Sequence, residues 1–366
     1  MANDMSFMPP MLTKALNERL IQSDDYLSSV SKLIEANHEV LLVTSQGFVK
    51  RGVVDAFKAK LKCERFHVID DVTPNPELTY IDGLYARFKT SKVTHIIALG
   101  GGSVLDTSKV LRVMLQTQSG GLHQLMAARK AVSNSVALIA IPTTSGTGAE
   151  ITPFATVWDT GDKKKYSIDH AESDKVVLDP NLTVGLPPYE TMVTALDALS
   201  HAIESLWNVR RSNTSERYAV QAIALICEHL RPVLKKPKNI EGRAALQFAA
   251  FLSGLAISET KTALAHAISY PLTIEFKVPH GLACSFTLAA MLKVVGANRL
   301  KLSQDMVDRI INLLDALRLN DEMKKFAELP QMLKAVDREL DPSRAGNFTT
   351  AVTPDLVKAI IKESLS

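Results

Sequence analysis

The chain has 366 residues, 46% of them hydrophobic, with 42 basic and 39 acidic side chains and a net charge of +3. Such a chain is globular and long enough for two domains, which excludes a disordered protein. The charge balance leaves no footprint for nucleic acid or an anionic membrane, and no apolar run approaches the roughly 18 residues of a membrane span.

The first 38 residues hold helix-like runs at 12–22 and 26–36 and no chemistry, and the N-terminal stretch lacks a basic-then-apolar signal pattern. EVLLVT (39–44) reads as a buried parallel strand, and VKRGVVDAFKAKL after it as an amphipathic helix. RFHVID is a second strand, VTPNPE a turn-rich loop and LTYIDGLYARFKTS a helix. THIIALGGGSVLDTSKVLRVML then reads strand, glycine turn, helix, and SVALIAIP is a further strand. This alternation predicts an open, Rossmann-like parallel sheet with helices on both faces.

Two loops in this half suit a cofactor. Gly100, Gly101, Gly102 and Ser103 sit where a strand meets its helix, where glycines allow close backbone approach and free N–H groups attract phosphate. The run fits neither G-x-G-x-x-G nor a P-loop. Thr143, Thr144, Ser145 and Thr147 form a loop of small hydroxyl and glycine residues at the expected carboxyl end of a central strand. KKKYSI and KVVLDP read as the two strands of a small ribbon. LDPNLTVGLPPYE is the natural hinge, so residues 1–185 are the α/β domain and 186–366 an all-helical one.

In the second half the chain reads as successive amphipathic helices. Asp197 and His201 in LDALSHAIES are i and i+4, so both leave one helix face. His266 lies in a run SETKTALAHAISY expected to stop at Pro271, and His280 follows Pro279 at a turn. Three imidazoles and a carboxylate suit Fe²⁺ or Zn²⁺ and serve Ca²⁺ or Mg²⁺ poorly. Cys63, Cys227 and Cys284 are far apart and read as buried thiols in a reducing cytoplasm. A small-molecule site is expected in a cleft between the domains.

GGGSVLDTSK, IPTTSGTGAEIT, LDALSHAIES and the pair HAISYP and VPHG, in this order, resemble the iron-containing (group III) alcohol dehydrogenases. The resemblance implies the fold shared with dehydroquinate synthase, a bound NADPH or NADH, and a homodimer acting on a small aldehyde or alcohol. It places the metal on Asp197, His201, His266 and His280, the pyrophosphate on residues 100–103, and ribose and nicotinamide on the loop from Thr143. Asp106 and Lys109 match the same motif and read as structural.

Three positions depart from the family. Ser45 stands where many members carry an acid against the adenosine ribose, which favours NADPH or dual use. Tyr270 stands where many have a further His, one turn after His266, and is a candidate for proton relay. Lys261 stands where small residues are usual, which suggests an anionic substrate. The segments around Trp158, Trp207 and His266 resemble the phosphonoacetaldehyde reductase branch, with Lys261, Lys165 and Arg210 as candidates for the phosphonate. A general short-chain alcohol dehydrogenase and a metal-independent maleylacetate reductase are the alternatives; relatives of the latter tend to lose the carboxylate ligand that Asp197 provides here.

Overall fold

The computed structural model describes residues 16–127, 135–162, 164–337 and 340–366. They form two compact units, one of residues up to 144 together with 149–183, the other of residues 145–148 together with 184–366.

The first unit is built on a six-stranded parallel sheet. Its strands are β1 (Leu20–Gln22), β2 (Glu39–Val43), β3 (Arg65–Ile69), β4 (His95–Gly100), β5 (Ala137–Pro142) and β8 (Lys175–Leu178), in the order β1-β8-β5-β4-β2-β3. Period-two side-chain alternation divides these strands between two cores. Leu41, Val43, Ile96, Ala98, Leu138 and Ala140 face one layer, with α3 (Leu78–Phe88) and α4 (Gly102–Thr117). Val40, Leu42, Ile97, Leu99, Ile139 and Ile141 face the other, with α1 (Tyr26–Ser31) and α2 (Val53–Lys60). Val40 to Val43 have no exposed surface, which explains why β2 reads as a continuous apolar run.

Two readings of the strands need correction. The ribbon pairs ATVWD, as β6 (Ala155–Asp159), with KKYSI, as β7 (Lys164–Ile168), in antiparallel register, while KVVL is β8 in the main sheet. A β-branched run does not state which partner it will find; only tertiary pairing decides. Lys163, part of the expected ribbon, lies outside the described residues. The helix-like run at 12–22 ends in strand: Leu20 to Gln22 pair with Val176 to Leu178, and Arg19 Nη2 donates to Ser173 O at 2.8 Å. Its first residues, 12–15, lie outside the described residues. Three strand residues are too few to show a period.

The second unit is helical. Its central members are α5 (Pro188–Leu206), α6 (Asn213–Lys235), α7 (Ile240–Thr260), α8 (Leu264–Phe276) and α9 (His280–Ser285). Arg243, at the start of α7, donates from Nη1 to Thr191 Oγ1 (2.8 Å), from Nη2 to Leu186 O (3.1 Å) and from Nε to Pro237 O (2.9 Å), tying α7 to the head of α5. Among the described residues only α7 is long and apolar enough to cross a membrane, and 83% of that window is buried inside the protein, as befits a helix packed among helices.

Pro271 does not end α8, which continues to Phe276. The expected single run from Ser258 is instead two helices. α7 ends at Thr260, and Lys261 has φ +61°, a value few L-residues adopt, so the chain turns before α8 begins. Glycine placement is equally strict in the loop at 145–148. A Cβ on Gly146 would lie 2.7 Å from Thr194 O, and one on Gly148 (φ +63°) would lie 2.6 Å from Gly254 Cα.

Candidate functional site

In the α/β unit both loops lie at the carboxyl ends of neighbouring strands. Thr143 N–H donates to Gly100 O at 3.0 Å, joining the end of β5 to that of β4. Gly100 admits no side chain, since a Cβ there would lie 2.6 Å from Val104 Cβ. Gly101 is the N-cap of α4, Gly102 is its first residue, and Ser103 Oγ accepts from Asn75 N–H at 3.2 Å. Thr44 Oγ1 donates to Leu99 O at 2.8 Å, which holds the end of β2, and hence Ser45, beside the end of β4. The chain runs from β2 outward to β3, then returns past β2 to β4 and onward to β5. The crevice between the ends of β2 and β4 is therefore the topological switch point of the sheet, where open α/β sheets bind ligands. Thr144 packs beside Gly101, while Ser145 and Thr147 belong to the segment grouped with the helical unit.

Behind these loops lies a buried charge pair. Lys109 Nζ on α4 donates to Ala149 O (2.9 Å), Thr152 Oγ1 (3.2 Å) and Phe154 O (2.5 Å), and Asp106 Oδ2 accepts from Thr156 N–H at 3.1 Å. Asp106 and Lys109 thus fix the strand that follows the hydroxyl loop. Burial pushes the Lys109 ammonium down to about 8 and the Glu150 carboxyl up to about 7.

In the helical unit four side chains converge. Asp197 Oδ1 lies 3.5 Å from His201 Nε2, 3.6 Å from His266 Nε2 and 3.9 Å from His280 Nε2. Bonds of about 2.1 Å at a tetrahedral metal separate its donor atoms by about 3.4 Å, so these spacings match donors that share one ion. α5 supplies Asp197 and His201 from one face, α8 supplies His266, and α9 begins at His280. Two of these donor atoms, Asp197 Oδ1 and His266 Nε2, are buried without a hydrogen-bond partner among the described residues. Buried polar atoms are almost always paired, and a cation would satisfy such a set of acceptors.

The electrostatics are those of a cluster that takes a cation in exchange for a proton: against burial, Cys284, Glu204 and Asp197 hold the His266 imidazole well above its ordinary range, so a metal would displace its proton. Burial opposes the Asp197 charge, yet His201, His266 and His280 together hold that carboxyl below its ordinary range. Burial also drives His201 down to about 4, which keeps the imidazole neutral and able to ligate near neutral pH. Glu204, fully buried on α5, accepts from His266 Nδ1 and from His266 N–H (3.2 Å).

Two further residues, Glu204 and Cys284, adjoin this cluster. Glu204 follows Asp197 and His201 at i+7 and i+3, a stripe legible in LDALSHAIES. Cys284, read only as a buried thiol, lies on α9 with Sγ 3.6 Å from His280 Nε2, and it joins Asp197, His266 and His280 in a group whose donor atoms lie within 4.8 Å of one another. His201 and Cys284 are thus alternative fourth donors.

Tyr270 stacks on His280 with ring centroids 6.2 Å apart and 9° between planes. The other candidate residues are placed differently. Lys261 is exposed at the turn after α7, with its carbonyl accepting from Asn208 Nδ2 at 3.2 Å. Arg210 is exposed, and Lys165 lies in the α/β unit with Nζ 5.3 Å from the Trp158 ring centroid.

Sequence profiles of the iron-containing alcohol dehydrogenases match residues 17–180, and those of the family's C-terminal domain match residues 191–344. The chain belongs to the iron-containing alcohol dehydrogenase family. Among family members, it is 35% identical over 262 residues to long-chain-alcohol dehydrogenase 1 of Geobacillus thermodenitrificans, covering 70% of this chain and 66% of that protein. It is 34% identical over 234 residues to a phosphonoacetaldehyde reductase of Streptomyces viridochromogenes, covering 62% and 59%. The chain therefore matches just under two thirds of the first of these relatives and less of the second. The family fold is present almost entire: a crystal structure of sulfoacetaldehyde reductase from Bifidobacterium kashiwanohense with NAD+ superposes with a TM-score of 0.82 over 95% of this chain and 97% of that one, at 24% identity.

Proposed function

We propose that the chain is a metal-dependent oxidoreductase that uses NADPH or NADH to interconvert a small aldehyde and its primary alcohol. Its substrate in this reading is phosphonoacetaldehyde, reduced to 2-hydroxyethylphosphonate. The observation that carries the reading is the buried Asp197 oxygen with three imidazole nitrogens 3.5, 3.6 and 3.9 Å away. The likeness to a phosphonoacetaldehyde reductase supports the substrate.

Asp197, His201, His266 and His280 hold the metal, Fe²⁺ in the first instance with Zn²⁺ as the alternative. When bound, the ion acts as a Lewis acid on the carbonyl and the reduced nicotinamide supplies the hydride. Asp197 brings the one negative charge of the donor set, and Glu204 sets the orientation of His266. Tyr270, half-buried beside His280, passes a proton from its Oη to the oxygen of the nascent alcohol. Gly100 to Ser103 take the pyrophosphate at the head of α4, with Ser45 near the adenosine ribose and Thr143 to Thr147 as the ribose and nicotinamide loop. The resemblance supports a homodimer, and the free thiols Cys63, Cys227 and Cys284 suit a reducing cytoplasm.

The test is an anaerobic assay of NADPH oxidation by Fe²⁺-loaded protein, with metal content measured in parallel. Phosphonoacetaldehyde is expected to exceed propanal in kcat/KM by orders of magnitude, and Asp197→Ala to lose metal and activity together. Full activity in a metal-free Asp197→Ala protein would overturn the metal assignment and favour the metal-independent alternative. Equal turnover of propanal would return the chain to the general alcohol dehydrogenases.

A further inference from the structure

The helical unit holds a largely buried cation beside the candidate metal centre. Arg344, on the short helix Pro342–Ala345, has a side chain 19% exposed, and its Cζ lies 5.3 Å from the centroid of the Tyr270 ring. That ring stacks in turn on His280. Nη1 donates to Thr262 Oγ1, a neutral partner. Among the described residues Nε is buried without a hydrogen bond, and it stands 3.8 Å from Asp341 Oδ2, a distance beyond hydrogen bonding.

A guanidinium carries five N–H donors in a planar fork shaped for an oxyanion. Among the described residues, one neutral hydroxyl and a loose contact to a partly exposed carboxylate answer that fork. A second cation beside a divalent ion is repulsive in a poorly screened interior, and an anion bound there removes the penalty. We propose that Arg344 is the anion-recognising residue of the substrate site, binding the tetrahedral phosphonate or sulfonate of a two-carbon aldehyde whose carbonyl end lies at Asp197, His266 and His280. The Tyr270 ring is common to the two ends: the Arg344 guanidinium lies 5.3 Å from its centroid and the His280 ring stacks on it. This rests on the reading of the helical site as the place of aldehyde reduction. It replaces Lys261 and Arg210, which are exposed, and Lys165, which sits against Trp158 in the α/β unit, as the source of anion selectivity.

The experiment compares wild type, Arg344→Gln and Arg344→Lys as metal-loaded full-length protein. kcat and KM are measured with phosphonoacetaldehyde, sulfoacetaldehyde and propanal, alongside calorimetric titration with 2-hydroxyethylphosphonate and the thermal midpoint of each protein. The expected result is that Arg344→Gln lowers the ratio of kcat/KM for the anionic aldehydes over propanal by at least about tenfold, mainly through KM, and weakens 2-hydroxyethylphosphonate binding to a similar degree. Arg344→Lys restores part of the ratio, because charge returns without the fork. A larger effect with phosphonoacetaldehyde than with sulfoacetaldehyde identifies the phosphonate as the better fit; the reverse identifies the sulfonate. If wild type prefers an anionic aldehyde and both variants keep the full preference, the inference fails while the aldehyde reductase reading stands. If both variants lose propanal and anionic turnover in equal proportion, Arg344 is structural and the inference fails. A wild type with no preference for either anion sinks the substrate reading and the inference together.

Discussion

Glu204 and His266 meet in the core of the helical unit through two hydrogen bonds, one to the imidazole Nδ1 and one to the backbone N–H at 3.2 Å. A proton fixed on Nδ1 leaves Nε2 as the lone-pair nitrogen facing Asp197. Glu204→Gln keeps the volume but weakens the acceptor and removes the charge. Its expected effect is a 10- to 100-fold loss of metal affinity, in the range known for second-layer partners of ligating histidines. Competition with a chelator measures it, and unchanged affinity would show that Glu204 serves packing alone.

Gly281 makes the closest glycine contact in the helical unit. A Cβ there would lie 1.8 Å from Val193 O and 3.2 Å from Asp197 Cβ. Val193 O is backbone of α5 and cannot swing aside, so Gly281→Ala must push α9 away from α5. The variant is expected to lose on the order of 2 kcal/mol of stability or more, and to bind metal more weakly because His280 moves against Asp197. Denaturant unfolding and metal titration report the two effects separately; a variant with wild-type values in both would contradict the close approach of the helices.

The buried Glu150 predicts a stability profile with pH. Burial raises its carboxyl to about 7 from an ordinary 4.5, so between those values the folded protein holds a proton that the unfolded chain has released. Stability therefore falls as pH rises through this window, by an amount on the order of 3 kcal/mol from this group. Lys109 acts in another window: its ammonium is lowered to about 8, so from there to 10.5 the unfolded chain binds the extra proton and stability rises with pH. Glu150→Gln is expected to flatten the slope between pH 4.5 and 7, and to be more stable than wild type at pH 7. Unfolding curves across that range, with the slope retained in the variant, would refute the assignment.

In the proposed site, Ser45 is the position expected to set the choice of cofactor. It follows β2, two residues beyond Val43, and bridges Asp71 through the backbone. The nearby Arg51 donates from Nε to Gly47 O (2.9 Å) and lies over the Phe48 ring. Ser45→Asp places a carboxylate where a 2′-phosphate would sit. The ratio of kcat/KM for NADPH over NADH is expected to fall by roughly tenfold or more, through repulsion and through bonding to the ribose hydroxyls. Parallel kinetics with the two cofactors decide it, and an unchanged ratio would remove Ser45 from the cofactor site.

Local pattern carried much of this protein. The apolar run at β2, the glycine turn after β4 and the i, i+4 spacing of Asp197 and His201 all state their geometry within a few residues. Relations set by tertiary partners were hidden. β8 and β6 are both short β-branched runs, and which joins the sheet and which the ribbon is decided by neighbours absent from the run itself. Lys261 reads as part of the helix before His266 because nothing in SETKTALAH announces a positive φ at a lysine. Glu204 was within reach, since it continues the stripe of Asp197 and His201. Arg344 was not: it lies 64 residues beyond His280 in sequence, in a stretch with no pattern of its own.

The loop at 145–148 makes the helical unit discontinuous in the chain. Its glycines lie against Thr194 and Gly254, backbone to backbone, yet they are delivered by β5 from the other unit. A single cut at residue 184 therefore does not yield two complete modules. The C-terminal fragment would begin life with the Gly254 backbone stripped of its cover, and the N-terminal fragment would carry a loop with nothing to close on. Mixing the two fragments, or adding back a peptide that spans 145–148, should recover helical stability that neither piece has alone, which makes this short glycine segment the keystone for splitting, permuting or recombining members of the fold.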